Sequence, residues 1–155
     1  MQHLIERRRS SIHGNGVFAV CTIAENTPVC RYGGKRITHE EADARYAGDL
    51  ASGHTFLFTL NDEYVIDANQ DGNIARWINH SCEPNCQALM VESPGSDRRR
   101  DQIEIHALRA IKPGEELTYD YGIRLAVPHT AKMKKYWACH CGAPTCTGTM
   151  LKPKR

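Results

Sequence analysis

The sequence predicts one mainly β domain with short helices and irregular loops. The chain has 155 residues, which is enough for one hydrophobic core and too few for two comfortable ones. Short apolar runs recur between turns rich in glycine, proline and asparagine. Two segments in the C-terminal half alternate apolar and polar residues. Such alternation has the two-residue period of a half-buried strand. These observations favour a β fold over a helical one.

The N-terminal part predicts strands wherever an apolar run lies between two turns. The turn over residues 11–16 contains Asn-Gly, which supplies the positive φ angles of a tight loop, and a strand over 17–20 follows. The turn over 24–28 precedes a strand over 29–32. The pair Gly33-Gly34 then ends that strand.

The middle of the chain predicts a helix and a hairpin. The sequence Thr38-His39-Glu40-Glu41 has the pattern of a capping box, which would begin a short helix that continues to about Tyr46. Two strand-like runs, 55–60 and 63–67, flank Asn61-Asp62. This arrangement predicts a β-hairpin.

The remaining elements are short. Residues 73–79 predict a second helix, and residues 93–101 predict a polar loop. The alternating run 102–108 predicts a strand. A turn over 112–115 precedes a second alternating run over 116–121.

Composition and charge exclude some classes of function. The net charge is +2, whereas a protein that binds nucleic acid usually has a stronger basic excess. Two arginine triplets, Arg7–Arg9 and Arg98–Arg100, are expected to be solvated loop charge, and contact with a polyanion is the second interpretation. Direct binding of nucleic acid is therefore not expected.

The absence of targeting signals and the number of cysteines indicate in which cellular compartment we expect the chain. No apolar run approaches the roughly 18 residues of a membrane span, and the first residues, MQHLIERRRSS, lack the apolar core of a secretory signal. We therefore expect an intracellular chain with no membrane partner, cytoplasmic in a bacterium and nuclear in a eukaryote. In a reducing compartment the seven cysteines would be metal ligands or buried thiols rather than disulfides.

A C-x-C-x4-C motif predicts a zinc site near the C-terminus. Its members are Cys139, Cys141 and Cys146. Tetrahedral zinc requires a fourth ligand, for which Cys82 and Cys86 are the candidates, while His140 is awkwardly placed between two ligands. A site with four sulfur ligands is closed to water and structural, so the metal by itself defines no reaction. Thiols that bind no metal are the alternative.

The stretch RWINHSCEPNC, residues 76–86, supports three interpretations: a metal site, a nucleophile site or a tight turn. A catalytic dyad of His80 and Cys82 is disfavoured, since neighbours in sequence do not by that fact form a dyad and the metal competes for the cysteine. A buried turn in which Asn79, His80 and Asn85 bond backbone groups is the structural alternative.

The motifs together resemble a known family. RWINHSCEPNC, then GEELTYDYG at 114–122, then C-x-C-x4-C, are similar in order to the SET-domain protein-lysine methyltransferases that have a post-SET zinc tail. The turn HGNGVFA at 13–19 resembles the first motif of that family. The resemblance extends from about residue 5 to about residue 150.

The resemblance implies a SET (β-clip) fold, with small curved sheets around a pseudoknot core. It implies a SET domain over 1–125 and a post-SET zinc-binding tail over 126–155. The implied activity is transfer of a methyl group from S-adenosylmethionine to a lysine of a histone or another basic protein. Many histone-modifying members have a cysteine-rich region before the domain, and the sequence has no counterpart of it. A catalytically silent module that binds a peptide or partner is the alternative, and a zinc-stabilised nucleic-acid binder is disfavoured by the modest charge.

The resemblance also implies roles for individual residues. Those assigned to the methyl donor are His13, Asn15, Gly16, Val17, Phe56, Asn79 and His80. Those assigned to the lysine channel are Phe58 as a wall, Tyr119 at the position that governs the number of methyl groups, and Tyr121 as the catalytic tyrosine. Those assigned to one structural Zn²⁺ are Cys82, Cys139, Cys141 and Cys146, which leaves Cys86 spare. Trp137 would cover the donor or the channel, or serve packing.

These residue types suit the implied reaction. The attacking lysine must be neutral although its ordinary pKa is about 10.4, and an aromatic tunnel lowers that pKa by desolvation. The hydroxyl of Tyr121 would orient the amine, and Tyr119 would leave little room in the channel, which favours monomethylation. Among the nearby acidic residues, Glu115 and Glu116 are expected at the surface, and Asp120 is expected to face a basic substrate.

Overall fold

The computed structural model confirms a mainly β chain in the part that it describes. The described residues are 4–12, 14–46, 56–95, 97–121, 141, 144 and 146. Their strands are β1 (Ile5–Arg9), β2 (Asn15–Ala19), β3 (Pro28–Arg31), β4 (Lys35–Thr38), β5 (Leu57–Thr59), β6 (Tyr64–Asp67), β7 (Asn79–His80), β8 (Cys86–Val91), β9 (Gln102–Ala107) and β10 (Thr118–Tyr119). Their helices are α1 (His39–Tyr46) and two short 3-10 helices, Ile74–Trp77 and Arg98–Arg100.

The strands of this described part form small sheets rather than one large sheet. β1 and β2 form an antiparallel pair. β4, β6 and β5 form a three-stranded antiparallel sheet, and β3, β9 and β8 form another. β7 and β10 pair in parallel. Small sheets of this kind leave several strand ends close together, where side chains from distant parts of the chain meet.

Elements with a local sequence signal are confirmed. The hairpin is β5 and β6, paired antiparallel. The capping box also forms, because Thr38 Oγ1 accepts from the backbone N–H of Glu41 at 3.1 Å and the Glu41 carboxylate accepts from the backbone N–H of Thr38 at 3.4 Å. These reciprocal bonds satisfy donors at the start of α1 that have no partner within the helix.

The loop assignment of both arginine triplets is wrong. Arg7–Arg9 is solvent-exposed as expected but forms part of β1, which pairs with β2. Arg98–Arg100 forms a 3-10 helix capped by the side chain of Asp97. The strand was missed because its regularity comes from backbone pairing, whereas a run of charged residues has no apolar alternation to reveal it.

The second predicted helix is shorter than its pattern indicated. It ends at Trp77, and Asn79 begins β7 instead. The alternating run 116–121 likewise contains a strand of two residues, β10. β4 and β8 have no counterpart among the predicted elements. These differences arise because strand boundaries depend on which partner is available along the edge of a sheet.

A continuous apolar core lies behind these sheets. Its fully buried side chains include Ile23, Ile66, Ile78, Ile105, Ile111 and Leu117. Ile78, which directly precedes Asn79, is therefore a core residue. None of the helices in the described part of the chain is long and apolar enough to cross a membrane.

Asn85 fastens the loop after β7 to the segment that contains β10. Its Nδ2 donates to the backbone oxygen of Glu116 at 2.8 Å, and its Oδ1 accepts from the backbone N–H of Thr118 at 2.8 Å. Its own backbone oxygen accepts from Leu108 N–H at 2.8 Å. The side chain is almost fully buried, so water cannot replace these bonds easily.

We predict that Asn85→Ala lowers the free energy of unfolding by about 3 kcal/mol, because the buried N–H of Thr118 and the carbonyl of Glu116 lose their hydrogen bonds to the Asn85 side chain. Asn85→Asp keeps the acceptor for Thr118 and should cost less. Exposed Asn69→Ala is the matched control and should change stability by less than about 0.5 kcal/mol. Urea denaturation measures all three, and equal effects at Asn85 and Asn69 would contradict the assignment.

Candidate active site

Four aromatic rings form a cluster at the end of β10. The ring of Tyr119 lies 4.9 Å from that of Tyr121 and 6.0 Å from that of Phe58, measured between centroids. Tyr32 packs against Phe58 at 5.0 Å. The structure thus brings together the three residues predicted for the lysine channel, with tilted ring pairs inside the 4.5–7 Å range of favourable aromatic contacts. We call these four residues the aromatic cluster.

Tyr121 is held at both its hydroxyl and its backbone. The hydroxyl donates a hydrogen bond to the backbone oxygen of Ile78, and the backbone N–H donates to His80 Nδ1 at 3.0 Å. Burial raises the pKa of the Tyr121 phenol. The hydroxyl is therefore protonated at ordinary pH, so it acts as a hydrogen-bond donor and not as a phenolate base.

His80 is buried between Tyr121 and Cys82. Because Nδ1 accepts from the backbone N–H of Tyr121, the hydrogen-bond network assigns the proton of the neutral ring to Nε2. Nε2 lies 3.8 Å from Cys82 Sγ. The Asp120 carboxylate is 3.7 Å from Nδ1, too far for a hydrogen bond. One imidazole therefore bridges the cysteine and the backbone of Tyr121.

The structure groups three of the four cysteines predicted to bind zinc. The Sγ atoms of Cys82, Cys141 and Cys146 lie within 4.8 Å of one another. Tetrahedral zinc with Zn–S bonds of about 2.3 Å holds its sulfurs roughly 3.8 Å apart, so the donor set and spacing fit the metal. Cys139 lies outside the described residues. Cys86 is fully buried in the core, and burial raises the pKa of its thiol to about 12, which opposes a metal-binding thiolate.

The residues predicted for the methyl donor are divided between two places. Asn79 meets the turn after β1, since its Nδ2 donates to the backbone oxygen of Asn15 at 3.1 Å and to Ser10 Oγ at 3.1 Å. Gly16 follows Asn15 at the start of β2 and borders the same turn. The side chain of Val17 is fully buried in the core, so only its backbone faces this region. His13 and Trp137 lie outside the described residues.

Phe56 lies in a separate stack of aromatic and cationic side chains. Its ring is 5.5 Å from that of Trp77, and the guanidinium carbon of Arg76 lies 4.1 Å above the Phe56 ring and 4.7 Å from the Trp77 ring. The guanidinium carbon of Arg7, on β1, lies 5.5 Å from the centroid of the Trp77 ring. These cation–π contacts hold β1 against the first 3-10 helix.

Glu116 differs from the expectation of a solvated surface charge, because its half-buried carboxylate is hydrogen-bonded to two distant segments of the chain. Its carboxylate accepts from Ser10 Oγ at 2.8 Å and from Asn79 Nδ2 at 2.8 Å. Glu115, by contrast, forms an ion pair with Arg109 at 3.1 Å, as a surface residue would. Sequence reasoning missed Ser10, Tyr32 and Glu116. The available signal for Glu116 was its position inside the motif that contains Tyr119 and Tyr121.

Comparison with known proteins identifies the family of this chain. The family model described as SET domain matches residues 14–122, which contain β2 to β10 and every residue of the aromatic cluster. The chain belongs to the SET-domain family.

Individual relatives agree with the family match. The chain is 40% identical over 142 residues to a histone-lysine N-methyltransferase, H3 lysine-4 specific, of Neurospora crassa, covering 90% of this chain and 10% of that protein. A protein of the same name from Saccharomyces cerevisiae is 41% identical over 142 residues, covering 90% and 12%. The chain thus spans about a tenth of the length of these relatives.

A solved structure shares the fold. The crystal structure of KRYPTONITE in complex with mCHG DNA and SAH superposes with a TM-score of 0.76 at 34% sequence identity. The match covers 94% of this chain and 28% of the KRYPTONITE chain. The predicted SET fold of small sheets is therefore confirmed.

We predict that the purified protein contains one zinc ion per chain and that Cys82→Ser removes most of it, because a hydroxyl is a poor substitute for a thiolate ligand. Cys21→Ser is the matched control, since Cys21 is half-buried and lies outside the three-thiol group. Elemental analysis after dialysis measures the content. Zinc retained by Cys82→Ser and lost from Cys21→Ser would contradict the grouping.

Proposed function

We propose that this chain is a protein-lysine N-methyltransferase domain that transfers a methyl group from S-adenosylmethionine to a lysine of a histone tail. The observation that carries the proposal is the placement of Tyr121, with its phenol bonded to Ile78 and its ring packed on Tyr119. The two relatives named H3 lysine-4-specific methyltransferases support it at 40% and 41% identity.

The aromatic cluster suits a lysine side chain that must lose its charge. Rings of Phe58, Tyr119 and Tyr121 surround the amine with apolar surface, and desolvation lowers the pKa of a buried ammonium. The neighbouring phenols resist ionisation because burial raises the pKa of Tyr119 and of Tyr121. Two neutral phenols therefore do not stabilise the ammonium as phenolates would.

Tyr121 orients the reaction rather than taking a proton from the lysine. Its position is fixed by Ile78 and His80, so its hydroxyl and ring present one geometry to an incoming amine. The donor, when bound, supplies an electrophilic methyl group on a cationic sulfur. Alignment of reacting groups contributes up to roughly 7–11 kcal/mol of barrier reduction in ideal cases. The amine can release its proton to water before transfer, so no strong base is required.

The donor would contact the turn after β1 and the start of β7. We assign to it His13, Asn15, Gly16, Val17, Phe56, Asn79 and His80. The bonds between Asn79, Asn15 and Ser10 support this assignment, because they hold the turn and β7 against each other. Val17 would contribute backbone only.

One structural Zn²⁺ would be held by Cys82, Cys139, Cys141 and Cys146. Four thiolates leave no position for water, so the metal would stabilise structure and take no part in transfer. It would attach a post-SET tail over 126–155 to a SET domain over 1–125. The grouping of three of these thiols supports the proposal.

A histone substrate implies action at chromatin, through protein contact rather than through nucleic acid. The DNA in the KRYPTONITE complex is a ligand of that protein, of which this chain covers 28%. Two arginines of β1 already have partners, since Arg8 pairs with Glu6 and Arg7 lies over Trp77. The aromatic cluster favours the enzyme over a silent peptide-binding module.

Incubation with labelled donor and histone H3 tests the proposal, and methyl transfer is the expected result. We predict that Tyr121→Phe lowers kcat by about 100-fold, since loss of alignment has effects of this size, while calorimetry shows unchanged donor affinity. Tyr64→Phe on β6 is the matched control and should keep full activity. Absence of transfer by wild type to any histone or basic protein would support the silent module.

We predict that wild type produces mainly monomethyl-lysine and that Tyr119→Phe produces more dimethyl-lysine. The buried Tyr119 hydroxyl occupies room beside Tyr121, and its removal makes space for a methylated amine. Mass spectrometry of a histone peptide measures the distribution. Efficient trimethylation by wild type would show that Tyr119 does not limit the product.

A further inference from the structure

A single carboxylate lies where three distant segments of the chain meet. Glu116 precedes β10 and accepts from Ser10, which follows β1, and from Asn79, which begins β7. These partners are separated from Glu116 by 106 and 37 positions. We propose that Glu116 is a positioning residue for the methyl donor, an inference that rests on the proposed function.

The bonding pattern around Ser10 depends on the carboxylate. Ser10 Oγ already accepts from the backbone N–H of Ile12 at 2.9 Å, and it lies 3.1 Å from Asn79 Nδ2, whose two hydrogens are shared among Ser10, Asn15 and Glu116. Its one hydrogen therefore has to be donated elsewhere, and both oxygens of Glu116 lie 2.8 Å away. The carboxylate thus sets the orientation of the hydroxyl to which the turn and β7 are both bonded.

Gly16 shows how closely the turn approaches this carboxylate. A Cβ on Gly16 would lie 2.3 Å from Glu116 Oε2 and 2.8 Å from its Cδ. Such distances are inside van der Waals contact, so a side chain at this position would displace the carboxylate. Close backbone approach, rather than a special φ angle, is the reason for glycine here.

Glu116 also connects the turn to the aromatic cluster. It stands two residues before Thr118, which pairs with Asn79 in the β7–β10 ladder. Its backbone oxygen is the acceptor for Asn85, so the backbone at Glu116 remains fixed when the side chain is changed. Loss of the carboxylate should therefore loosen the donor-binding turn and spare the lysine channel.

The experiment measures donor affinity by calorimetry, and lysine-peptide KM at saturating donor, for the full chain and its variants. Glu116→Ala loses hydrogen bonds to a charged group, and we expect donor Kd to rise roughly 10- to 100-fold. Peptide KM should change less than about twofold, a split that general destabilisation would not produce. Glu116→Gln keeps one acceptor oxygen and should weaken donor binding by a smaller factor.

Glu115→Ala is the matched control, since Glu115 is the adjacent carboxylate and pairs with Arg109 instead. Its donor Kd should equal that of wild type. Circular dichroism and Tm establish that each variant is folded. If Glu116→Ala does not fold, the donor affinity of Glu116→Gln is the decisive measurement, and a donor Kd equal to that of wild type would overturn the inference.

A double-mutant cycle tests the contact directly. Gly16→Ala should weaken donor binding in the wild-type background, and this loss should be several-fold smaller in the Glu116→Ala background, where no carboxylate obstructs the new methyl group. Equal losses in both backgrounds would overturn the positioning role. Wild type that binds no S-adenosylmethionine would overturn the proposed function itself, whereas normal donor binding by Glu116→Ala would overturn this inference alone.

Discussion

The parallel contact between β7 and β10 is the constraint on which the candidate site depends. It pairs Asn79 with Thr118 and His80 with Tyr119, so two short motifs far apart in sequence are placed side by side. A ladder of two residues provides little cohesion of its own, because parallel pairs are somewhat weaker per residue than antiparallel ones. Hydrogen bonds from Asn85, Glu116 and Tyr121 add further attachment on either side of it.

The imidazole of His80 extends this contact toward the cysteines. It accepts from the backbone of Tyr121 and directs its other nitrogen toward Cys82 Sγ. A partner that fixes both the tautomer and the orientation of a side chain near a metal site commonly tunes that site. Cys82, which would bind zinc, and Tyr121 of the aromatic cluster are therefore connected through one buried ring, which would give metal binding a direct physical route to the geometry of that cluster.

The capping box and the hairpin were predicted from local signals, whereas β1 and the bonds of Glu116 depend on distant partners and were missed. The capping box of Thr38 and Glu41 and the β5–β6 hairpin depend on neighbours within a few residues, and both form. β1 exists because Arg7 faces Val17 across a sheet, and a charged run does not reveal its partner. Glu116 was missed for the same reason. In the alternating run it occupies a position typical of the surface, and its partner Ser10 lies 106 residues away in the sequence. The grouping of Cys82 with Cys141 and Cys146 agrees with the family resemblance, because the need of zinc for a fourth ligand left Cys82 and Cys86 as candidates and the resemblance selected Cys82.

The stretch RWINHSCEPNC therefore serves several contacts at once rather than forming one reactive centre. The backbone oxygen of Ile78 holds the Tyr121 phenol, His80 holds the Tyr121 backbone, and Cys82 joins the other thiols. Cys86 is left in the core with a thiol pKa of about 12, where it is neither nucleophile nor ligand. A nucleophilic cysteine needs a lowered pKa and access to substrate, and Cys86 has neither, while Cys82 is turned toward two further sulfurs. This stretch consequently has a structural role, because one short segment of chain contacts the aromatic cluster, the turn after β1 and the cysteine group.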